Sequence, residues 1–247
     1  MSHHNHLKSP PVDYGFHGAK AVHLLGLVGL ALLAIAAYVV WGSSLEGVLL
    51  FIFGIITLHL GLGLILGAGG LFWISRFGRY IVRDKMLAMI PWQGNEQVLD
   101  VGCGAGINLI AAARHLTTGM ATGIDIWTDD HGQHYTAETV MENARAEGVE
   151  EFVQVKTEDA RATSFSDESF DVVLSSFVFH HLNKAQRTAA LDEIMRVLKP
   201  GGRFILIDVH HSKEISDKLL SIGAREVQVK ALVSLLPGLR WVVARKA

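Results

Sequence analysis

The chain has 247 residues, half of them apolar, a formal charge of -2 at neutral pH and one cysteine, Cys103. With no clustered Lys and Arg there is no electrostatic footprint for nucleic acid, which excludes DNA and RNA as partners. A lone cysteine excludes an intramolecular disulfide and a multi-cysteine metal site, and it fits a reducing compartment.

Charge is unevenly spread: between Ala21 and Ser75 the only Asp, Glu, Lys or Arg is Glu46. Residues 1–20 are polar and predict a disordered tail, with His3, His4 and His6 read as part of that tail and not as a metal site. Residues 21–41 and 48–74 follow as uncharged runs of 21 and 27 residues. At ~1.5 Å per residue each is long enough for a helix to cross a hydrocarbon core of about 30 Å. The short Gly42–Gly47 segment between them predicts an antiparallel transmembrane hairpin. The first run is longer than the apolar core of a signal peptide and follows twenty polar residues, which argues against cleavage. Tyr38, Trp41 and Trp73 fall near the expected interfaces, and Gly63 with Gly67 forms a GxxxG pair suited to close helix contact or to a homodimer. Lys8 and Lys20 precede the hairpin, and Arg76, Arg79, Arg83 and Lys85 follow it. By the positive-inside rule the lipid bilayer is a partner, and both termini lie on the cytoplasmic side of an integral membrane protein. His59, an ionisable group in an apolar helix, is expected to bond across the hairpin. Residues 76–91 read as a basic amphipathic connecting helix.

From residue 92 onward strand and helix patterns alternate. Strands are expected at 97–101, 121–126, 152–156, 170–175 and 203–208, with two closing strands near 225–230 and 240–245. Helices are expected at 105–116, 133–147, 183–198 and 213–222. The alternation predicts an α/β, Rossmann-like parallel sheet with helices on both faces and a ligand beyond the carboxyl ends of the strands. The first strand ends in Asp100 and runs into Gly102, Cys103, Gly104, Ala105 and Gly106, a turn that lets backbone approach a polar ligand at a helix N-terminus. The second ends at Asp125 and Ile126, 19 and 20 residues beyond Gly106, where a carboxylate can accept both hydroxyls of a ribose. The third is followed by Glu158, Asp159 and Ala160, and the fourth ends at Ser175. Lys199-Pro200-Gly201-Gly202 reads as a turn that stops a helix and starts the fifth strand. The GxGxG spacing departs from the GxGxxG of dinucleotide sites, which argues against NAD.

The motifs VLDVGCGAG (98–106), GIDI (123–126), EDA (158–160), FSDESFDVVLSSFVFHHL (165–182) and VLKPGGRF (197–204) together resemble the class I S-adenosylmethionine-dependent methyltransferases, especially the ubiquinone/menaquinone biosynthesis C-methyltransferase group. The resemblance covers residues 92–247. It implies a seven-stranded sheet with an antiparallel last strand and S-adenosylmethionine as methyl donor. It implies further that Asp100, Gly102, Cys103, Gly104 and Gly106 surround the methionine moiety. Asp125 would hold the ribose, with Ile126 against the adenine, Asp159 and Ala160 at the adenine edge, and Ser175 near the sulfonium.

Amine-methylating relatives carry an Asn- or Asp-Pro-Pro-Tyr/Phe motif where this chain has Ser175-Ser176-Phe177-Val178, which argues against nucleic-acid base and protein-glutamine acceptors. Four histidines follow strand ends: His180, His181, His210 and His211. His180 and His211 are the candidate catalytic bases; no spacing among the four points to a metal site. Short connections late in the chain leave no large lid, so the expected acceptor is a small lipophilic molecule reached from the cytoplasmic membrane face. Two readings compete with it: a methyltransferase of soluble metabolites whose hairpin only localises it, and a non-catalytic S-adenosylmethionine-binding sensor or scaffold.

Overall fold

The computed structural model describes residues 12, 14, 19–42, 47–128, 135–231 and 238–247. The chain divides into an apolar unit, Phe16–Ile81, and an α/β unit, Met1–Gly15 with Val82–Ala247.

In the apolar unit, α1 (Ala19–Ala37) loosens into a wider i→i+5 turn at Tyr38–Gly42, and α2 (Val48–Trp73) follows. Both are long and apolar enough to cross a membrane, and large side chains such as Leu27, Leu30, Phe51 and Leu66 are exposed. The two helices run antiparallel: Gly29 faces Gly61 and Ile65, while Gly54 faces Val39 and Val40. A Cβ on Gly61 would stand 2.9 Å from the Gly29 carbonyl oxygen, so glycine here permits backbone-to-backbone approach. This is not the expected Gly63/Gly67 pair, neither of which has an atom within 4 Å of its Cβ direction among the described residues. Two residues advance a helix by roughly 200°, which turns Gly63 away from the face that Gly61 presents. The expectation for His59 is also corrected: its Nδ1 lies 2.8 Å from the Ile55 carbonyl oxygen of its own helix. A carbonyl one turn back offers the ring a polar partner at no cost in packing.

A wider turn at Ile74–Gly78 precedes α3 (Arg79–Leu87), so the regular connecting helix is shorter than the expected 76–91. Its Val82, Met86 and Leu87 are buried. Most of the tail predicted to be disordered lies outside the described residues, but Tyr14 is buried at 6% exposure.

The α/β unit alternates β1 (Gln97–Val101), α4 (Ile107–Ala113), β2 (Met120–Asp125), α5 (Ala137–Ala146), β3 (Val153–Thr157), β4 (Phe170–Ser176), α6 (Lys184–Val197), β5 (Leu198–Asp208), α7 (Ser212–Ser221), β6 (Arg225–Ala231) and β7 (Arg240–Arg245). The described strands form one sheet in the order β3-β2-β1-β4-β5-β7-β6. Only β7 runs antiparallel to its neighbours. The order reverses between β1 and β4, and there the helices leave opposite faces and open a crevice. Both strands are short apolar runs buried on two faces, as parallel strands under helices must be. On one face Leu99, Phe179, Leu191, Ile194 and Phe204 form the centre of the core. A capping box between Asn183 and Gln186 starts α6 within a residue of its expected position.

Two boundaries differ from expectation for local reasons. The 133–147 helix begins only at Ala137, where Thr136 caps it; residues 129–134 lie outside the described residues. The Lys199–Gly202 turn is part of β5: Leu198 pairs with Phe170, a bulge intervenes, and Arg203 then pairs with Val172. Backbone bonds between Gly201, Gly202 and Lys246 hold that bulge in the sheet.

On β2, a Cβ at Gly123 would come within 2.7 Å of Leu109 Cδ2 and 2.8 Å of Cys103 Sγ. Gly123→Ala should therefore destabilise the unit by about 1–3 kcal/mol through overpacking, read as a lower thermal unfolding midpoint. An unchanged midpoint would mean that Leu109 and Cys103 yield freely.

Candidate active site

Between β1 and α4 the chain turns on three left-handed glycines, with φ of 71° at Gly102, 50° at Gly104 and 86° at Gly106. The amides of Gly102 and Cys103 both donate to the Ile124 carbonyl, at 2.8 and 3.1 Å, which ties the loop to β2. The Gly104 amide donates to Asp125 Oδ2 at 2.9 Å. Space is as restrictive as backbone angle: a Cβ on Gly102 would sit 2.2 Å from Val178 Cγ2, and one on Gly106 2.8 Å from Val140 Cγ1. At Gly104 the nearest atom is Tyr135 Cδ2 at 3.8 Å, so there only the backbone angle demands glycine.

Beneath the loop, Asp100 is fully buried. Its Oδ2 accepts from the Leu109 amide in the first turn of α4 at 3.1 Å, while Oδ1 has no partner among the described residues. Burial pushes its carboxyl up to about 7; the Leu109 amide opposes that shift and the negative charge of Asp125 adds to it. Burial, followed by the charges of Asp100 and Asp125, also pushes the buried Cys103 thiol well above its ordinary value. Its amide serves the loop and its sulfur serves packing.

Asp125 bridges two segments, since its Oδ1 also accepts from the Trp127 amide at 2.9 Å. Trp127 is itself left-handed, and its indole Nε1 donates to Thr157 Oγ1 at 2.7 Å. Ile126, between them, is half exposed beside the loop. Asp159 grips Arg161 with both carboxylate oxygens, and the guanidinium holds its carboxyl below the usual range. Ala160 packs against the core. Ser175 is buried, and its hydroxyl donates to the Val101 carbonyl at 3.0 Å, fastening β4 to β1. The neighbouring Ser176 hydroxyl accepts from Asn108 of α4 at 2.7 Å.

The two candidate bases separate. His180 follows β4 in a short turn whose Val178 abuts Gly102. Its ring Nδ1 lies 2.9 Å from Asp208 Oδ1, and its amide donates to Asp208 Oδ2 at 3.1 Å. Asp208, at the end of β5, is 2% exposed and also accepts from the Val209 amide at 2.7 Å. A buried carboxylate so oriented fixes Nδ1 as the protonated nitrogen and leaves Nε2 as the acceptor. His211 instead begins α7 in a left-handed conformation, with Nδ1 3.7 Å from Glu214, a carboxylate clamped by Arg187. Asp208 is the residue sequence reasoning missed. Its signal was an acid closing the fifth strand, as Asp100 and Asp125 close in on the ends of the first and second. Among the described residues no cluster of three His, Cys, Asp or Glu side chains suits a metal.

Residues 99–206, which carry all of this geometry from β1 through β5 apart from Asp208, match the family described as a methyltransferase domain. The chain is 32% identical over 125 residues to 27-O-demethylrifamycin SV methyltransferase of Amycolatopsis mediterranei, covering 51% of this chain and 43% of that protein. It is 31% identical over 128 residues to the ubiquinone/menaquinone biosynthesis C-methyltransferase of a Ruegeria species, covering 52% and 48%. It thus spans about half the length of these relatives. A solved S-adenosylmethionine-dependent methyltransferase of Aquifex aeolicus shares the fold, with a TM-score of 0.54 and 22% identity over 67% of this chain and 89% of that one. Residues 99–206 form an S-adenosylmethionine-dependent methyltransferase domain. The site of this domain fits the donor on three counts: a glycine cradle that any Cβ would fill, a buried Asp100 oxygen left without a partner, and an Asp125 carboxylate with acceptor capacity beyond its two amides.

Asp100 keeps its proton up to about pH 7 in the folded methyltransferase domain but only up to about 3.8 when unfolded. The folded state therefore binds more protons between those values, and stability falls as pH rises through that window. Asp100→Asn keeps an acceptor for Leu109 and should remove the slope. Its thermal midpoint without ligand should exceed that of the parent at pH 8 and not at pH 4.

Proposed function

We propose that the chain is a membrane-anchored methyltransferase that moves a methyl group from S-adenosylmethionine to a small, lipophilic acceptor at the cytoplasmic membrane face. The observation that carries this reading is the His180–Asp208 pair beside the glycine loop. A sensor or scaffold has no use for an imidazole held in one tautomer by a buried carboxylate. The pair suits an acceptor with a removable proton, such as a phenol or an acidic carbon. The related proteins named for ubiquinone/menaquinone biosynthesis and for 27-O-demethylrifamycin SV support acceptors of that kind, one a C- and the other an O-methyltransferase.

The roles divide by strand. Asp100 and the loop Gly102–Gly106 would receive the methionine moiety, Asp125 the ribose hydroxyls, and Ile126 with Asp159 and Ala160 the adenine; Ser175 would set the distance between β1 and β4 beneath the reacting carbon. The bound donor supplies an electrophilic methyl on a sulfonium. His180 Nε2 takes the acceptor's proton, Asp208 stabilises the imidazolium, and the site contributes alignment and exclusion of water. The membrane reading rests on the composition of α1 and α2, with mean hydropathies of 2.5 and 2.3, and on their exposed apolar surface. Arg76, Arg79, Arg83 and Lys85 after α2, with Glu46 as the only charge between the helices, support cytoplasmic ends.

The test is transfer of label from S-adenosylmethionine into lipid and aqueous extracts of the source membrane by the full chain. Label is expected in the lipid fraction. Label in the aqueous fraction alone would favour a soluble acceptor, and none in either would favour a binding protein. Asp125→Ala should abolish donor binding. His180→Gln and Asp208→Asn should leave binding intact and lower kcat by about 10²–10⁴. A full rate in His180→Gln would remove the base.

A further inference from the structure

Three features of the α/β unit find no use in that reading. The open groove between α6 and α7, lined by Lys184, Lys213, Glu214, Asp217 and Lys218, mixes charges of both signs and selects no ligand. The left-handed Phe177 after β4 is strained, with its amide tied to the Ile207 carbonyl at 2.9 Å, yet its ring contacts nothing that defines a role. The third feature reaches further.

Tyr14 lies outside the Rossmann-like core in sequence, in a polar segment ahead of the apolar helices, yet it is 6% exposed. It is held at two points on one helix. Its backbone carbonyl accepts from the Tyr135 hydroxyl at 3.2 Å, two residues before α5. Its own hydroxyl donates to Glu147 Oε1 at 3.4 Å, at the other end of α5. Glu147 also pairs through Oε2 with Arg114, which closes α4, the helix that the glycine loop opens. Tyr135 in turn is the side chain nearest the apex of that loop, with Cδ2 3.8 Å from where a Cβ of Gly104 would be. A chain of contacts therefore runs from Asp125 to Gly104, Tyr135, Tyr14, Glu147 and Arg114, and returns to α4.

We propose that the segment at Tyr14 is a strap over the methyl-donor site, and that Tyr14 and Tyr135 are positioning residues which slow cofactor release by holding the Tyr135 ring against the glycine loop. The inference rests on the S-adenosylmethionine site proposed above. A ring tethered through its hydroxyl samples fewer orientations than a free one, so the entrance beside Gly104 costs less entropy to close around a ligand. A polar stretch of chain has no reason to bury a tyrosine beside this loop for the sake of the core alone, since the core cluster lies on the other side of the sheet's central strands around Phe179 and Phe204 and does not include Tyr14. The strap also makes donor affinity depend on residues that precede the methyltransferase match at 99–206.

The full chain in detergent or nanodiscs tests this with S-adenosylhomocysteine as the probe. Tyr135→Phe keeps the ring and removes only the tether. It should raise Kd about fivefold, the net worth of one hydrogen bond, through faster dissociation. The KM for S-adenosylmethionine should rise with kcat unchanged, and the thermal midpoint without ligand should stay where it was. Tyr14→Ala should match it, and the double variant should be no weaker than the worse single one, because the two act as one unit. Amide exchange over residues 12–14 should slow on adding S-adenosylhomocysteine to the parent and not to Tyr135→Phe. Tyr135→Phe binding as tightly as the parent would overturn the strap and leave Tyr14 as packing. Failure of the parent chain itself to bind S-adenosylhomocysteine would overturn the donor site and the strap together, a result distinct from the first.

Discussion

A carboxylate with no cation beside it organises this α/β unit. Asp100 sits at the end of β1, out of water, and its only described hydrogen bond comes from the first turn of α4 nine residues later. The helix end supplies unpaired amides and a partial positive charge, the one kind of partner that can offset part of the desolvation of a buried acid without adding a side chain. Fixing strand end and helix start that close together leaves too little chain for an ordinary turn. The connecting residues must take left-handed angles, and they must do so where Val178 and Val140 already fill the space a side chain would need. Glycine at 102 and 106 follows from that constraint, and so does the direction in which the loop presents its amides.

The same reasoning separates what the sequence made legible from what it did not. Strands ending in Asp100, Asp125 and Ser175 were readable because each is a short apolar run followed by a polar or glycine break, a pattern confined to adjacent residues. The pairing of His180 with Asp208 was not. It spans 28 residues and exists only because β4 and β5 are neighbours in parallel register. The hairpin glycines illustrate the same limit: GxxxG spacing marks Gly63 and Gly67, yet the crossing point is set by which face α1 meets, and that selects Gly29 and Gly61. Lys-Pro-Gly-Gly looks like a turn in isolation; in the fold, backbone bonds to Lys246 near the far end of the chain draw it into the sheet.

The site is asymmetric in what holds it. Around the glycine loop the polar groups are held chiefly by main-chain amides, through Gly104 and Trp127 on Asp125 and Leu109 on Asp100. Main chain tolerates changes of neighbouring side chains, which suits the half of the molecule that relatives of different acceptors share. Across the crevice the geometry depends on one side-chain pair, His180 and Asp208, and the second member of that pair falls just past residue 206, where the family match ends. Variation in acceptor chemistry has room to arise there without disturbing the loop.

The packing of Cys103 has a practical corollary. Its sulfur is buried against Gly123 and its thiol is held in the protonated form by burial and by two neighbouring carboxylates. A thiol of that kind is a poor nucleophile toward alkylating reagents and oxidants. The natural chain therefore behaves as a cysteine-free background. Spin labels or fluorophores attached to cysteines introduced at chosen surface positions can report distances within it while the native residue stays in place.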